Sequence, residues 1–157
     1  MPREKKRTEA LIKMEKITEL YLGLHDRGVY MFDQKIPFSD AAVVECDGVY
    51  GLFVDSSQFR STSEECVAVA HDAGHIMTGT THRVNSRLDL ITRHENRADR
   101  WAIQKLIPVC DFDQAVGSGL TEVWQLADFF NVTEEFMRKA ICLYLFGNVD
   151  ADEFFPA

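Results

Sequence analysis

The stretch AHDAGHIMTG, residues 70–79, holds the side chains whose types and spacing could do chemistry. His71 and His75 are four positions apart, so on a helix their imidazoles lie on one face. Two imidazoles placed in this way can bind one zinc ion. Asp72 follows the first histidine, so the stretch differs from the zinc-hydrolase motif H-E-x-x-H by an aspartate in place of the glutamate. The spacing therefore predicts a metal site beside a carboxylate.

A catalytic zinc site needs a third protein ligand and an open position for water. The next helical segment offers Glu95, with Asp99 one turn further along the same face. If Glu95 binds the ion, Asp99 can accept the outer N–H of a ligand histidine and so orient the ring. Ala98 and Ala102 are small enough to let the two helices approach closely.

Other interpretations of these residues remain open. A histidine pair at this spacing also occurs as hydrogen-bonded core residues or as surface residues. The E-x-x-x-D pattern of the following helix favours the metal interpretation. The four cysteines form no C-x-x-C pair, so their spacing gives no support to a thiolate zinc site.

The segments VAVAHDAGHIMTGTTHRVNS, HENRADRWAIQKLIP and WQLADFFNVTEEFMRKAI resemble the ImmA/IrrE family of small metallopeptidases of bacteria, phages and integrative elements. The resemblance extends from about Thr8 to Tyr144. It implies that His71, His75 and Glu95 are the zinc ligands. It also implies action on helix-turn-helix repressors, which such proteins cut or inactivate to release a mobile element or a stress response.

Asp72 departs from the family pattern, in which a glutamate serves as general base and takes a proton from zinc-activated water. Aspartate is shorter by one C–C bond, about 1.5 Å, and a misplacement of about 1 Å can cost roughly 10²-fold in rate. Zinc binding should survive because Asp72 is not a ligand, whereas peptidase activity could be normal, weak or lost. In the loop that follows, His82 and Arg83 could stabilise a transition state, or could be exposed loop residues.

The elements that must position these residues follow from periodicity and capping signals. Helices are predicted over Thr8–Leu24, over Thr62–Met77 with Ser61 and Glu64 as a capping box, and from Arg93 to Ile107. Strands are predicted at VYMF, AAVVEC and VYGLFV, with a hairpin at Asp47–Gly48. Residues 78–92 are expected to be a loop, and residues 109–120 a linker or turn region. Two short helices should follow, separated at residues 131–133, with Thr133 as the N-cap of the second.

Charge argues against nucleic acid as a partner. The net charge of the 157 residues is −8, residues 1–16 carry +3, and the C-terminal helical region 120–145 carries −2. That region has the outline of a helix-turn-helix, but a repressor-docking or packing role fits its charge better. Its large apolar residues are expected to pack on the body; they are Trp124, Leu126, Phe129, Phe130, Phe136, Ile141 and Leu145. The absence of a long apolar run and of a secretory pattern predicts a cytoplasmic protein.

We therefore expect an α+β, zincin-like fold with a small antiparallel sheet of about three strands beside two site helices. Residues 1–108 would form the metallopeptidase core, and residues 109–157 a helical lobe packed on it. The expected function is that of a zinc-dependent endopeptidase acting on a cytoplasmic regulator such as a repressor. The alternative is a weak or inactive zinc protein that sequesters a repressor or other protein. Iron or manganese could replace zinc, and the oligomeric state is left open.

Overall fold

The computed structural model of the chain describes residues 2–81, 88–150 and 155. The described residues form six α-helices, a three-stranded sheet and a short 3₁₀ turn at Ser56–Gln58. The helices are α1 (Pro2–His25), α2 (Thr62–Thr78), α3 (Leu88–Leu106), α4 (Val109–Gly117), α5 (Val123–Phe130) and α6 (Glu134–Phe146). The strands are β1 (Tyr30–Asp33), β2 (Ala41–Cys46) and β3 (Val49–Val54). The architecture is α+β, as predicted.

The sheet is mixed, so the expectation of an antiparallel sheet was wrong in one pairing. The strand order is β1-β3-β2, with β3 antiparallel to β2 and parallel to β1. The chain reverses between β1 and β2, and reverses again at the hairpin, so β3 returns in the direction of β1. The hairpin was predicted correctly: Asp47 (φ 50°) and Gly48 (φ 79°) both adopt the positive φ that a tight two-residue hairpin turn requires.

Asp55 fixes the connection between β1 and β2 against the end of β3. Its carboxylate accepts hydrogen bonds from the backbone N–H of Ile36 (3.2 Å), the hydroxyl of Ser57 (2.5 Å) and the amide of Gln58 (2.9 Å). Its own N–H donates to the carbonyl of Asp40 (2.8 Å). Hydrogen bonds to a buried acid therefore hold the segment that reaches β2, in which Ile36 is also buried.

The site helix α2 begins where the predicted capping box places its start. The hydroxyl of Ser61 accepts from the N–H of Glu64 (3.2 Å), and the Glu64 carboxylate accepts from the N–H of Arg60 (2.8 Å). Gly79, at φ 63°, ends the helix in the left-handed conformation. The second site helix, α3, begins at Leu88, within the segment that was expected to be a loop.

The C-terminal region contains one helix that the sequence did not predict. Residues 109–117, expected to be a linker, form α4, in which Phe112 and Ala115 are buried. Helices α5 and α6 were predicted, and the hydroxyl of Thr133 caps α6 by accepting from the N–H of Phe136 (3.2 Å).

One hydrophobic cluster of buried residues joins α1, the sheet and all the later helices, from Leu20 to Val149. Phe130 and Phe136 belong to it, as expected. Trp124, Phe129 and Leu145 are each more than half exposed, so the expectation that they pack on the body was wrong. The division of the chain into a core of residues 1–108 and a helical lobe of residues 109–157 stays a prediction. Among the described residues, no helix has the length and apolarity needed to cross a membrane.

Candidate metal centre

Close packing of α2 on α3 brings the predicted site residues together. Ala98 and Ala102 of α3 are fully buried. A Cβ added at Gly74 of α2 would lie 2.5 Å from the carbonyl oxygen of Ala98 and 2.9 Å from its Cα. Only a residue without a side chain allows this approach, so the G of the H-x-x-G-H segment sets the distance between the two helices.

Three ligand atoms converge in the cleft between these helices. The Nε2 atoms of His71 and His75 lie 3.2 Å apart. The Glu95 carboxylate places Oε2 at 3.0 Å from Nε2 of His71 and Oε1 at 3.4 Å from Nε2 of His75. His75 is the most buried of the three, and Glu95 is the most open to the cleft, with 40% of its side chain exposed. The structure thus brings together the three residues that the sequence proposed as ligands.

Hydrogen bonds on the far side of each imidazole fix its tautomer. Nδ1 of His71 donates to Oδ1 of Asp99 (2.8 Å), and Nδ1 of His75 lies 3.1 Å from the carbonyl oxygen of Thr80. Because a carbonyl and an ionised carboxylate only accept, both rings carry the proton on Nδ1. When the ring is neutral, its Nε2 keeps a lone pair, which is the form that binds a metal.

The geometry of this cluster fits a metal ion. The two Nε2 atoms and the carboxylate lie within 3.0–3.4 Å of one another, a spacing at which they can share one cation, either a proton or a metal ion. For Zn–N bonds of about 2.0–2.1 Å in tetrahedral geometry, two ligand nitrogens lie about 3.3 Å apart. The cluster of His71, His75 and Glu95 could therefore hold a metal ion.

Asp99 occupies the position behind His71 that the sequence assigned to it. Its side chain is 10% exposed, and its second oxygen accepts from Nζ of Lys139 at 3.0 Å. Burial would raise the pKa of Asp99, but the hydrogen bond from His71 and the Lys139 charge outweigh burial and lower the pKa. Burial would lower the pKa of His71, but the bond to Asp99 and nearby carboxylates raise it.

Asp72 lies beside the cluster of His71, His75 and Glu95, and one of its carboxylate oxygens makes no hydrogen bond to the described residues. Its Oδ2 is inaccessible to solvent and has no partner among residues 2–81 and 88–150. Burial raises the pKa of Asp72 to about 6; the charges of Asp40 and Glu95 add to the rise, and His71 opposes it. A carboxyl group that titrates near neutral pH can exchange a proton with bound water.

Two clefts meet at Asp72. The larger, of about 1020 Å³, runs from His71 past Glu95 and Asp99 to α6 and the Asn148–Asp150 segment. The smaller, of about 650 Å³, lies beside β2 and reaches His75. The cluster of His71, His75 and Glu95 therefore borders both clefts.

Sequence reasoning missed two residues that contact the site. Thr80 follows the end of α2 and carried no local signal of its hydrogen bond to His75. Lys139 is 40 positions from Asp99, a separation that no helical periodicity connects. His82 and Arg83, suggested as transition-state stabilisers, lie outside the described residues.

Comparisons with models of known protein families, with curated proteins and with solved structures found no match for the chain. The function is therefore inferred from the site geometry and from the sequence resemblance.

Proposed function

We propose that this protein is a zinc-dependent endopeptidase of the ImmA/IrrE type that acts on a cytoplasmic regulator such as a helix-turn-helix repressor. The observation that carries the proposal is the convergence of Nε2 of His71, Nε2 of His75 and the Glu95 carboxylate. Two imidazoles and one carboxylate are a donor set of catalytic zinc sites, in which a further position stays open to water and substrate.

Each residue of the centre has a distinct part in this function. His71, His75 and Glu95 would hold the zinc ion, and Asp99 keeps His71 in the tautomer that binds it. Zinc, when bound, supplies Lewis acidity toward a carbonyl oxygen and toward water. Asp72, which lines both clefts, would accept the proton released by the attacking water and return it to the leaving amine.

The surroundings of the centre suit an extended peptide. Strand β2 lies at an edge of the described sheet, beside α2. Its residues Ala41, Val43 and Glu45 line the two clefts. The backbone of an edge strand can pair with an added peptide strand, which would carry the substrate past Asp72.

The second candidate function is a zinc-binding protein that sequesters a repressor or another protein without cutting it. The specific observation in its favour is aspartate at position 72, because its carboxylate reaches about 1.5 Å less far than that of glutamate. In that case the metal would join α2 to α3 and stabilise a docking surface.

Metal analysis tests the centre itself. Protein purified without chelators should contain about one equivalent of zinc by inductively coupled plasma mass spectrometry, and His75→Ala should lose it because one of three ligands is gone. Arg138→Met is a matched control that changes a side chain outside the cluster. Zinc that stays stoichiometric in His75→Ala would remove the proposal.

Cleavage assays separate the two candidate functions. The probes are a quenched fluorescent peptide library and purified helix-turn-helix repressors encoded beside the gene. An enzyme limited by the short acid should gain about 10²-fold in rate with Asp72→Glu and lose activity with Asp72→Asn. Repressor that is bound but not cut by wild type or by either variant supports the sequestering protein.

A further inference from the structure

We propose that Lys139 is a positioning residue for the metal centre, acting through Asp99 on His71. Its Nζ lies 3.0 Å from Oδ2 of Asp99, whose Oδ1 accepts from Nδ1 of His71 at 2.8 Å. A chain of hydrogen bonds therefore joins α6 of the C-terminal region to a ligand on α2. The inference rests on the metal centre of the proposed function, and it assigns a role to a residue outside the ligand set.

Charge explains why Asp99 needs this partner. The Asp99 carboxylate is buried, and a buried carboxylate is costly unless it is both hydrogen-bonded and offset by a positive charge. A metal-ligating histidine is neutral, so His71 supplies a donor but no charge. Lys139 supplies that charge and a second donor, which together fix the carboxylate plane. A fixed carboxylate in turn holds the His71 ring toward the other two ligands.

The position of Lys139 is itself determined by packing of α6 on α3. The guanidinium of Arg100 donates to the carbonyl of Gly147 at the end of α6, and the hydroxyl of Tyr144 donates to the carbonyl of Ile107. Met137 and Ala140, the residues on either side of the Arg138–Lys139 pair, are fully buried. Packing of α6 at several points thus places the Lys139 ammonium group beside Asp99. One-third of the Lys139 side chain remains exposed.

The test is zinc affinity, measured by competition with a chromophoric chelator on the full-length protein. Lys139→Met keeps the aliphatic stem and removes the charge, and it should weaken zinc binding about tenfold; loss of such outer partners costs roughly 10–100-fold. Lys139→Arg restores a charged donor and should stay within about threefold of wild type. Arg138→Met removes the same charge from the neighbouring position, where Arg138 pairs with Glu134, and should leave affinity unchanged.

A double-mutant cycle asks whether Lys139 acts through Asp99. Asp99→Ala should weaken zinc binding at least as much as Lys139→Met, and the double variant should be no weaker than Asp99→Ala alone. Circular dichroism of each metal-free variant establishes that all are folded at the assay temperature. Additive losses in the double variant, or equal losses in Lys139→Met and Arg138→Met, would overturn the inference.

The result also separates this inference from the proposed function. If wild type binds zinc and Lys139→Met binds it equally tightly, the positioning role is wrong and the metal centre stands. If wild type and His75→Ala bind zinc alike, the centre itself is wrong, and the role of Lys139 falls with it.

Discussion

Two aspartates show how hydrogen bonding sets the pKa of a buried acid. Asp55 is 4% exposed, and its carboxylate oxygens accept four hydrogen bonds. The hydrogen bonds from the side chains of Ser57 and Gln58 lower the pKa of Asp55 most, and with those from the backbone they bring it to about 2. Asp72 has an oxygen without a partner in the described part of the chain, and burial raises its pKa to about 6. Asp55 therefore stays ionised and stabilises the connection between β1 and β2. Asp72 can take up a proton near neutral pH.

Asp55→Asn should make the stability of the protein less dependent on acid pH. The pKa of Asp55 is lower in the folded chain than in the unfolded one, so its contribution is complete above about pH 4. It is lost as the pH falls toward about 2. The variant should therefore be less stable than wild type at neutral pH, and the difference should shrink across this acid range. Urea unfolding followed by circular dichroism at a series of pH values measures this.

Asp26→Asn serves as the control, because the Asp26 side chain is 81% exposed and lies 3.8 Å from the exposed His25. It should change the urea midpoint little. A constant difference between wild type and Asp55→Asn down to the lowest pH would show that the Asp55 charge does not hold the loop.

At the level of elements, the centre depends on how closely α2 approaches α3. Gly74 faces the backbone of Ala98, and the candidate metal ligands His71, His75 and Glu95 lie within one turn of this contact. A backbone contact cannot relax by a side-chain rotation. Any atom added at Gly74 must therefore move one helix relative to the other and separate the ligands.

Gly74→Ala should lower the free energy of unfolding by about 1–3 kcal/mol, as overpacked cores do, and should weaken zinc binding as well. Gly23→Ala is the matched control: Gly23 is also within a helix, but a Cβ there meets nothing within 4 Å. That change should stabilise the protein by about 0.5–1 kcal/mol through helix propensity. Urea unfolding and chelator competition measure both effects, and equal stabilisation by the two substitutions would contradict the proposed close contact.

Elements with local signals were predictable from the sequence, and those set by distant contacts were not. Helix α2 was predicted to within one residue because Ser61 and Glu64 mark its start and its apolar residues recur at helical spacing. The hairpin at Asp47–Gly48 was predicted because its turn chemistry is local. The parallel pairing of β1 with β3 was missed because strand order depends on the path of the whole chain. Helix α4 was missed because its nine residues give only a short apolar pattern.

The same distinction applies to the candidate site. His71 and His75 are four positions apart on α2, so helical periodicity placed them on one face of that helix. Glu95 and Asp99 were placed on one face of α3 for the same reason. That the two helices approach closely was inferred from the small side chains of Ala98 and Ala102, and the structure does bring the helices together. Lys139 belongs to α6, which packs on α3 but comes much later in the chain. Sequence spacing therefore gave no means of pairing Lys139 with Asp99.

At the scale of the molecule, the centre joins parts of the chain that are far apart in sequence. Helices α2 and α3 supply the ligands, and α6 supplies Lys139 and part of the cleft wall. A single hydrophobic cluster connects these helices with α1 and the sheet. An ion that binds only the assembled arrangement must therefore stabilise the whole fold, because unfolding any of these helices disperses the site.

Zinc at a free concentration of about 100 times Kd should raise the free energy of unfolding by about 2.7 kcal/mol, which for a chain of this size is about 5–10 °C in Tm. Differential scanning calorimetry with buffered zinc and with chelator measures the difference. His75→Ala should show no zinc-dependent rise, since the convergence of ligands is broken, whereas Arg138→Met should show the full rise. An equal rise in His75→Ala would mean that the ion stabilises the protein from another site, and the cluster between α2 and α3 would lose its assigned role.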